Sequence, residues 1–519
     1  MRRSRAAWVA VSALAVAGAV LVSSPGARTH ARTAAGGRPN IVFILTDDLS
    51  WNLVTPQFAP HIVGLERRGV TFNHYFVADS LCCPSRSTIF TGLFPHDTKV
   101  VTNLPPDGGF QKFQSRHLDR RTFAVALRRR GYRTSMLGKY LNGYGDPTMT
   151  SATAPVPPGW TDWHVSNSTG YLEFNYAMND NGTVHQYGGP TGGCGATGTP
   201  DNYGADVLGS DAGSFIDSAK GRPFVMEVAT FAPHAPYVPA PRNSCDFPGL
   251  TEPRDPSFNT PNTNAPAWLA RRGPLGPKQI AGIDNAFRMR AQAVEAVDKL
   301  VADVEAELAA KHVLRNTYIV FSSDNGYHLG QHQLTRGKQT AFDTDIRVPL
   351  IVVGPGVPKG KRVSQVAQNV DLYPTFVQLA GARAHAPIDG HSLVPLLHPG
   401  KTRPPWRTVA LVEHHHITGK PGDPDFEDRH GGNPTTYEAI RISSRRLPHF
   451  RGPVEAVYVE YKDAAHELEY YDIRRDPFER HNIAHRLSAA QRDELHRILV
   501  HLEHCHSAAA CWRAGLPAR

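Results

Sequence analysis

Three short, largely apolar runs and a fourth, more polar strand candidate stand out along the chain, and each leads into polar or charged side chains. They are residues 40–45 before Asp47 and Asp48, 133–137 before Lys139, 224–229 before His234, and 317–323 before Asp324 and Asn325. Such runs are typical of strands buried on both faces of a sheet. Because ligands bind beyond the carboxyl ends of parallel strands, we expect these polar side chains to gather at one edge of the sheet.

Helical periodicity fills much of the chain between these strands and is clearest over residues 279–310. The alternation predicts an α/β domain, residues 39–400, with a large mixed, mostly parallel sheet between helices. Stretches rich in Gly, Pro and Asn within residues 187–275 predict ordered loops around the site, with a disordered insert as the alternative.

The pattern changes after residues 398–400. Residues 408–413 and 457–461 predict strands, and Ser488 with Gln491 forms a capping box that begins a final helix. We therefore expect a smaller C-terminal α+β domain with an antiparallel sheet, residues 401–519.

The N-terminal residues have the composition of an export signal. Three early arginines precede an apolar run, residues 6–22, and small residues follow. We predict a signal peptide, residues 1–31, and a secreted, extracellular protein without stable membrane insertion; an uncleaved anchor is the alternative. Of the formal net charge of +9, six charges come from arginines in residues 1–39, which leaves +3 and gives no argument for nucleic acid as a partner.

Six cysteines suit an oxidising compartment. Cys505 and Cys511 are close enough in sequence to form a small loop, and Cys194 and Cys245 lie in loop-like stretches where they could pair. The adjacent Cys82 and Cys83 are poor disulfide partners, since the bridge requires a larger separation of the two α-carbons. The sequence alone leaves the pairing open.

The doubled cysteine opens the stretch Cys82-Cys83-Pro84-Ser85-Arg86. Proline suits the first turn of a helix, so Cys82 is expected just outside a helix N-terminus, where partial positive charge favours anions. Arg86 lies one turn later and can point to the same place. The alternative is a buried structural cysteine near a turn.

The other candidate groups have chemistry suited to an anionic substrate. Asp47, Asp48, Asp324 and Asn325 offer oxygen ligands, which favour Ca²⁺, with Mg²⁺ as the second choice. Lys139 and Lys338 each follow a glycine, which lets the backbone approach a ligand while the lysine supplies a point charge. His234 lies on a proline-flanked loop. The alternatives are helix caps or turns for the acids, surface lysines, and a structural histidine. For His328 and residues 414–416 we expect solvated or structural roles.

The chain resembles the sulfatases of the alkaline-phosphatase superfamily along residues 39–490. The segments that carry the resemblance are Cys82 to Arg86, Gly138-Lys139-Tyr140, Ser323-Asp324-Asn325-Gly326, Lys338 with Arg347-Val348-Pro349, and Glu469-Tyr470-Tyr471-Asp472. The doubled cysteine and Gly138-Lys139-Tyr140-Leu141-Asn142 are most similar to the N-acetylglucosamine-6-sulfatases and their extracellular relatives. One departure is Leu141, where many sulfatases have histidine; Asn142 is expected to take over this contact with substrate.

This resemblance implies an alkaline-phosphatase-like sandwich and a set of roles. A formylglycine-generating enzyme oxidises Cys82 to formylglycine, whose hydrate attacks the sulfur of a sulfated carbohydrate or small sulfate ester. The implied roles are metal binding for Asp47, Asp48, Cys82, Asp324 and Asn325, charge stabilisation for Arg86, Lys139 and Lys338, proton donation for His234, and substrate binding for Asn142, Lys139, His234 and Lys338.

Three alternatives stay open at the level of sequence. The substrate could be an aryl sulfate or another sulfated sugar of the glycosaminoglycan type. The enzyme could be a phosphate or phosphonate ester hydrolase of the same superfamily. A non-enzyme alternative is an exported glycan-binding protein that keeps the fold without turnover.

Overall fold

The computed structural model describes residues 37–150, 152–190, 194, 202–384, 386–400, 405–416 and 434–516. The predicted signal peptide, residues 1–31, lies outside these ranges, and the exact domain boundary at residues 400 and 401 stays a prediction. In the part of the chain that is described, no helix combines the length and apolar character needed to cross a membrane.

Within these ranges the chain forms strands in four sheets. The strands are β1 Asn40–Thr46, β2 Val70–Phe72, β3 Tyr75–Phe76, β4 Arg133–Lys139, β5 Asp162–Ser166, β6 Ala177–Asp180, β7 Thr183–Gln186, β8 Phe224–Ala229, β9 Thr317–Ser323, β10 His328–Leu329, β11 Arg336–Gly337, β12 Leu350–Val353, β13 Lys361–Val363, β14 Ala367–Gln368, β15 Val409–His414, β16 Tyr437–Ser444, β17 Val454–Tyr461 and β18 Leu468–Asp472.

The described α-helices alternate with these strands. They are α1 Pro60–Arg68, α2 Cys82–Thr91, α3 Pro95–Thr98, α4 Gly109–Ser115, α5 Phe123–Arg129, α6 Gly204–Ala219, α7 Ala267–Ala270, α8 Pro277–Ala310, α9 Asp343–Ile346, α10 Leu372–Leu379, α11 Val394–Leu397, α12 Ala489–Glu503 and α13 Ala508–Ala514.

The largest sheet has ten strands in the order β13-β2-β12-β9-β1-β8-β4-β5-β6-β7. Its five central strands, β9 to β5, are parallel, and antiparallel pairs flank them on both sides. Every residue of β1 and β9 is buried. The expected mixed sheet is confirmed, and the four strands expected from the sequence are four of its neighbouring parallel strands.

Two apolar cores lie on opposite faces of this sheet, because side chains alternate along a strand. In β1, Ile41 and Phe43 belong to the core packed by α2, α5 and α10, whereas Val42 and Ile44 belong to the core packed by α1, α6 and α8. The layers are therefore helix, sheet and helix, as the sequence predicted.

The second sheet is four-stranded and antiparallel, in the order β15-β16-β17-β18. One face packs on α12 in a third core, and Ala410 and Val412 on the other face join the first core. Helix α12 begins after Ser488, whose side chain accepts from the Gln491 N–H in the predicted capping box. The small antiparallel unit is confirmed as an architectural element.

Three sequence expectations are sharpened or corrected. The interval 187–275, where ordered loops around the site were expected besides β8, also contains the 16-residue helix α6, whose apolar face packs on the sheet. Cys82 is the first residue inside α2 rather than just before it. Both cysteine pairings considered from sequence occur: Cys194–Cys245 and Cys505–Cys511 are disulfides, while Cys82 and Cys83 are buried thiols.

Candidate active site

The candidate site lies at the carboxyl ends of β1 and β9. These strands pair in parallel with Thr46 level with Ser323, so the acids that follow them are neighbours. The Asp48 N–H donates to Asp324 Oδ1 at 3.2 Å, and Asn325 Nδ2 donates to Asp48 Oδ1 at 2.6 Å. The side chains of all four predicted metal-binding residues that follow these strands are fully buried: Asp47, Asp48, Asp324 and Asn325.

Helix α2 delivers Cys82 to this edge. Leu81 is extended, and the Ser85 N–H donates to its carbonyl at 3.1 Å, which begins the helix. Gly92 ends it in the left-handed conformation, φ 68°, which glycine adopts without strain. The Cys82 Sγ lies 3.3 Å from Asp47 Oδ1 and 4.0 Å from Asp48 Oδ1.

Three buried cations face the acids. Lys139 Nζ lies 2.5 Å from Asp47 Oδ2, and Lys338 Nζ lies 2.8 Å from both Asp48 Oδ1 and Cys82 Sγ. Arg86 Nε donates to Asp324 Oδ2 at 2.7 Å. The three predicted cations therefore converge on the cysteine and its acids, and the buried surroundings strengthen each interaction.

The charges shift the ionisation of the site. Burial raises the pKa of Asp47, but the positive charges of Lys139 and His234 outweigh it, and the net pKa is lowered. Burial lowers the pKa of Arg86, but Asp324 and Asp47 outweigh it, so its pKa is raised. Asp47 is therefore held as a carboxylate and Arg86 as a cation. By contrast, burial raises the pKa of Cys83 to about 12, which makes that thiol inert.

His234 faces the same acids from the loop after β8. Its Nδ1 donates to the Ala235 carbonyl at 2.7 Å, which leaves Nε2 on the side of the site, 3.5 Å from Asp48 Oδ2. The Tyr171 ring stacks beside it at a centroid distance of 4.4 Å. His234 therefore presents to the site the nitrogen that a proton donor would use.

A pocket of 300 Å³ opens beside this cluster, and Lys139, Asn142 and Tyr171 are among its lining residues. Asn142 Nδ2 donates to the Tyr171 hydroxyl at 3.2 Å. The Lys139 ammonium lies 4.8 Å from the Tyr171 ring centroid. The predicted substrate residue Asn142 thus lies at the wall of a cavity about the size of one sugar, near the lower end of ligand-site volumes.

The residues fit a hard divalent cation. Asp47, Asp48, Cys82 and His234 each offer a ligand atom, all within 4.8 Å of one another. Asp48 Oδ2 and Asn325 Oδ1 are buried oxygens without a hydrogen-bond partner in the described structure, as expected of ligand atoms. Asp324 is engaged differently, because its carboxylate accepts from Arg86 and from the N–H groups of Asp48 and Asn325.

Sequence reasoning missed Arg290, a fully buried residue of α8. Its Nη2 donates to the Asp48 carbonyl at 2.5 Å and its Nη1 to the Pro233 carbonyl at 3.3 Å. Its guanidinium lies 4.5 Å from the Tyr327 ring centroid. One signal was available: Arg290 interrupts the apolar stripe of the helix. Tyr171, on a short 3₁₀ helix, gave no comparable signal.

The structure also shows the roles of Gly138 and of two histidines that the sequence singled out. Gly138, φ 91°, lies against the neighbouring strand, where an added Cβ would fall 2.0 Å from the Ala229 carbonyl; it allows close strand packing rather than ligand approach. His328 is buried and bonded to Asp345 at 3.0 Å, and His414 to the Pro434 carbonyl at 3.2 Å. Both histidines are structural, as expected.

At the carboxyl ends of the parallel strands, the structure brings together a buried cysteine, carboxylates, a histidine and three cations, a set of groups suited to an anionic ester. The sulfatase family model matches residues 39–382. Human N-acetylglucosamine-6-sulfatase is 33% identical over 507 residues, covering 92% of this chain and 87% of the relative. A putative extracellular sulfatase Sulf-1 homologue of Caenorhabditis elegans is 34% identical over 389 residues, covering 72% of this chain and 52% of the relative.

Among solved structures, a protein in complex with its substrate, D-glucosamine-2-N,6-O-disulfate, aligns with this chain at TM-score 0.72 and 22% sequence identity. The alignment covers 89% of this chain and 97% of that protein's chain. The alkaline-phosphatase-like architecture expected from the sequence is confirmed. The chain belongs to the sulfatase family, and it is a sulfuric ester hydrolase.

Proposed function

We propose that this sulfatase removes the 6-O-sulfate of N-acetylglucosamine, or of a related sulfated sugar, outside the cell. The identity to human N-acetylglucosamine-6-sulfatase over most of both chains supports this substrate class. The extracellular sulfatase relative supports the location. The nucleophile is formylglycine derived from Cys82 by a formylglycine-generating enzyme, and the metal is Ca²⁺, with Mg²⁺ as the alternative.

One observation carries the proposal: Cys82 Sγ lies 2.8 Å from Lys338 Nζ and 3.3 Å from Asp47 Oδ1 in a fully buried cluster. A structural thiol does not require neighbouring charged groups, whereas perturbing charges of this kind cluster around reacting groups. Formylglycine would supply at this Cβ an aldehyde whose hydrate carries the attacking hydroxyl. The cation, held by Asp47, Asp48, Asp324 and Asn325, would supply Lewis-acid charge.

The chain's own residues account for the remaining requirements. Lys139, Lys338 and Arg86 direct three positive charges to the place where negative charge grows on the sulfuryl oxygens. His234 donates a proton from Nε2 to the departing sugar oxygen when its ring is an imidazolium, since the Nδ1–H is already donated to the Ala235 carbonyl. Asn142 and Tyr171 form a wall of the sugar pocket.

The first experiment is mass spectrometry of the tryptic peptide spanning residues 69–86 from protein made in its native host. We expect the mass of an aldehyde at Cys82 and of an intact thiol at Cys83. Fully active protein with two unmodified thiols would refute the formylglycine nucleophile.

The second experiment separates the substrates. Release of anion is compared for N-acetylglucosamine 6-sulfate, its 6-phosphate analogue and a nitrophenyl sulfate. We expect the sugar sulfate to have the highest kcat/KM. A higher value for the nitrophenyl sulfate would favour an aryl sulfatase, and a higher value for the phosphate would favour a phosphate ester hydrolase.

A further inference from the structure

A second and larger cavity lies where the outer strand of the large sheet meets the small sheet. Its volume is 1050 Å³, against 300 Å³ for the pocket beside Cys82, and the two share no lining residue. The walls come from β13, from α11, from residues 405–408, and from the turn between β16 and β17. We call this cavity the basic groove.

Its charged lining is predominantly positive. The cations are Lys361, Arg362, Arg407, Arg445 and Arg446, and the only acid among the lining residues is Glu455. That acid is engaged by Arg441 at 3.1 Å and by the Ser443 hydroxyl at 2.5 Å. The groove therefore concentrates positive potential, and adjacent low-dielectric walls focus it.

The five cations differ in whether an acid of the protein already pairs with their charge. Arg407 is buried and paired with Asp371, and Arg362 contacts Glu66 at 3.2 Å. Arg445 and Arg446 are exposed, and no ion pair involves them within the described residues. These two arginines are therefore the ones whose guanidinium groups are most available to anions, and guanidinium groups suit the oxygens of sulfate.

The groove also offers apolar surface and a rigid floor. Pro395, Leu396 and Trp406 line one side. The Trp406 indole N–H donates to the Val366 carbonyl at 2.8 Å, which fixes the ring. His74 joins the two sheets, because its Nδ1 contacts the Ser364 carbonyl at 2.8 Å and the Ser443 hydroxyl at 3.2 Å. Preorganised walls lower the entropic cost of binding.

We propose that the basic groove is a second binding site for a sulfated polysaccharide, which holds the polymer away from the reacting residue. The inference rests on the proposed function in one respect, that the substrate is a sulfated carbohydrate. The catalytic pocket has room for about one sugar, whereas the groove is at the upper end of ligand-site volumes and has room for several. Anionic groups on the polysaccharide meet the arginines, and sugar rings pack on the half-buried Pro395 and Leu396.

The test measures binding separately from turnover. A fluorescent heparin decasaccharide is titrated into full-length Cys82→Ala protein, so that no sulfate is released during the measurement. We expect Arg445→Ala with Arg446→Ala to weaken binding about tenfold, since each exposed charge contributes modestly. The pair replaced by lysines should keep most of the affinity. Affinity should also fall steeply as salt rises to about 0.15 M.

The matched control is Arg129→Ala with Arg130→Ala, another adjacent and exposed pair that does not line the groove. Loss of affinity equal to that control overturns the proposal, as does absence of decasaccharide binding in the parent. Equal binding of an unsulfated polysaccharide also overturns it. An oligonucleotide that binds as tightly, and responds equally to the groove variants, overturns the assignment to a sulfated sugar.

A second arm uses active protein with Cys82 intact. The groove variants should raise KM for the sulfated polymer about tenfold while kcat, and turnover of N-acetylglucosamine 6-sulfate, stay unchanged. Equal loss on monosaccharide and polymer refutes a separate site. If no sulfated sugar is turned over at all, the proposed function is wrong. The binding measurement still tests whether the groove binds a sulfated polysaccharide.

Discussion

Replacing Arg290 by methionine tests whether this buried cation holds the active-site loops in place. The change removes the donors to the Asp48 and Pro233 carbonyls, and each buried acceptor left unpaired costs about 1–3 kcal/mol. The lost contact with the Tyr327 ring adds about 0.5–2 kcal/mol. Methionine also removes the desolvation cost of a buried charge, which offsets part of this loss. We expect the free energy of unfolding to fall by about 2–4 kcal/mol.

The assay is urea unfolding followed by tryptophan fluorescence, since the chain has seven tryptophans. Arg288→Met is the matched control, because Arg288 lies on the same helix and is only partly buried. That variant should stay within about 0.5 kcal/mol of the parent. If Arg290→Met unfolds at the same urea concentration as the control, the energetic reasoning is wrong.

Arg290 acts through Asp48 and Pro233, so it is a positioning residue with a kinetic signature. A displacement of about 1 Å at the reacting groups costs about 100-fold in rate. We expect Arg290→Met to lower kcat and to raise the Ca²⁺ concentration needed for half-maximal activity. Arg290→Lys should recover part of both effects. Unchanged kcat and Ca²⁺ dependence in a destabilised variant would show a purely structural role.

Three further predictions concern the cysteine pair, the metal and pH. Cys82→Ala should abolish turnover with little change in circular dichroism, whereas Cys83→Ala should stay modified and active; the reverse result would exchange their roles. Chelation with EDTA should lower both activity and Tm, and Ca²⁺ at about 100 times its Kd should restore about 2.7 kcal/mol; a Tm indifferent to EDTA and Ca²⁺ contradicts a resident cation. Burial lowers the pKa of His96, but its hydrogen bond and ion pair with Glu413 outweigh burial and raise the pKa to about 9 from 6.5. This stabilisation is complete below pH 6.5 and is lost as pH rises through 9. The free energy of unfolding should therefore fall by up to about 3 kcal/mol across that window. If the same pH dependence of the unfolding free energy persists in His96→Gln, another group causes it.

The central sheet was predictable because its strands are buried on both faces. Residues 224–229 and 317–323 form β8 and β9 with the predicted bounds, since an apolar run of that length has few other uses. The antiparallel flanks were not predictable. β6 and β7 are short, and β7 is largely exposed, so they lack the apolar run that marked the centre. Helix α6 was missed because glycine- and proline-rich neighbours concealed its 3.6-residue period.

The candidate site was predictable where a polar side chain lies at the end of a strand or belongs to a short motif. Asp47, Asp324 and Lys139 are of this kind, because the strand that carries each of them fixes its place. Arg290 and Tyr171 reach the site from a distant helix and a short turn, and only tertiary packing brings them there. The basic groove was equally hidden, since its arginines come from segments far apart in sequence.

The complete burial of Cys82 has a consequence for the order of events in making this protein. Its side chain is 0% exposed, and helix α2 around it is buried at every residue. In the proposed maturation, the modifying enzyme needs access to the thiol, so it would have to act on the chain before the helix packs against the sheet. Maturation would therefore precede folding, and a molecule that folds first would keep an unmodified Cys82 thiol. On this proposal, the fraction of active molecules in a preparation would measure the rate of maturation relative to the rate of folding, rather than the quality of the folded product.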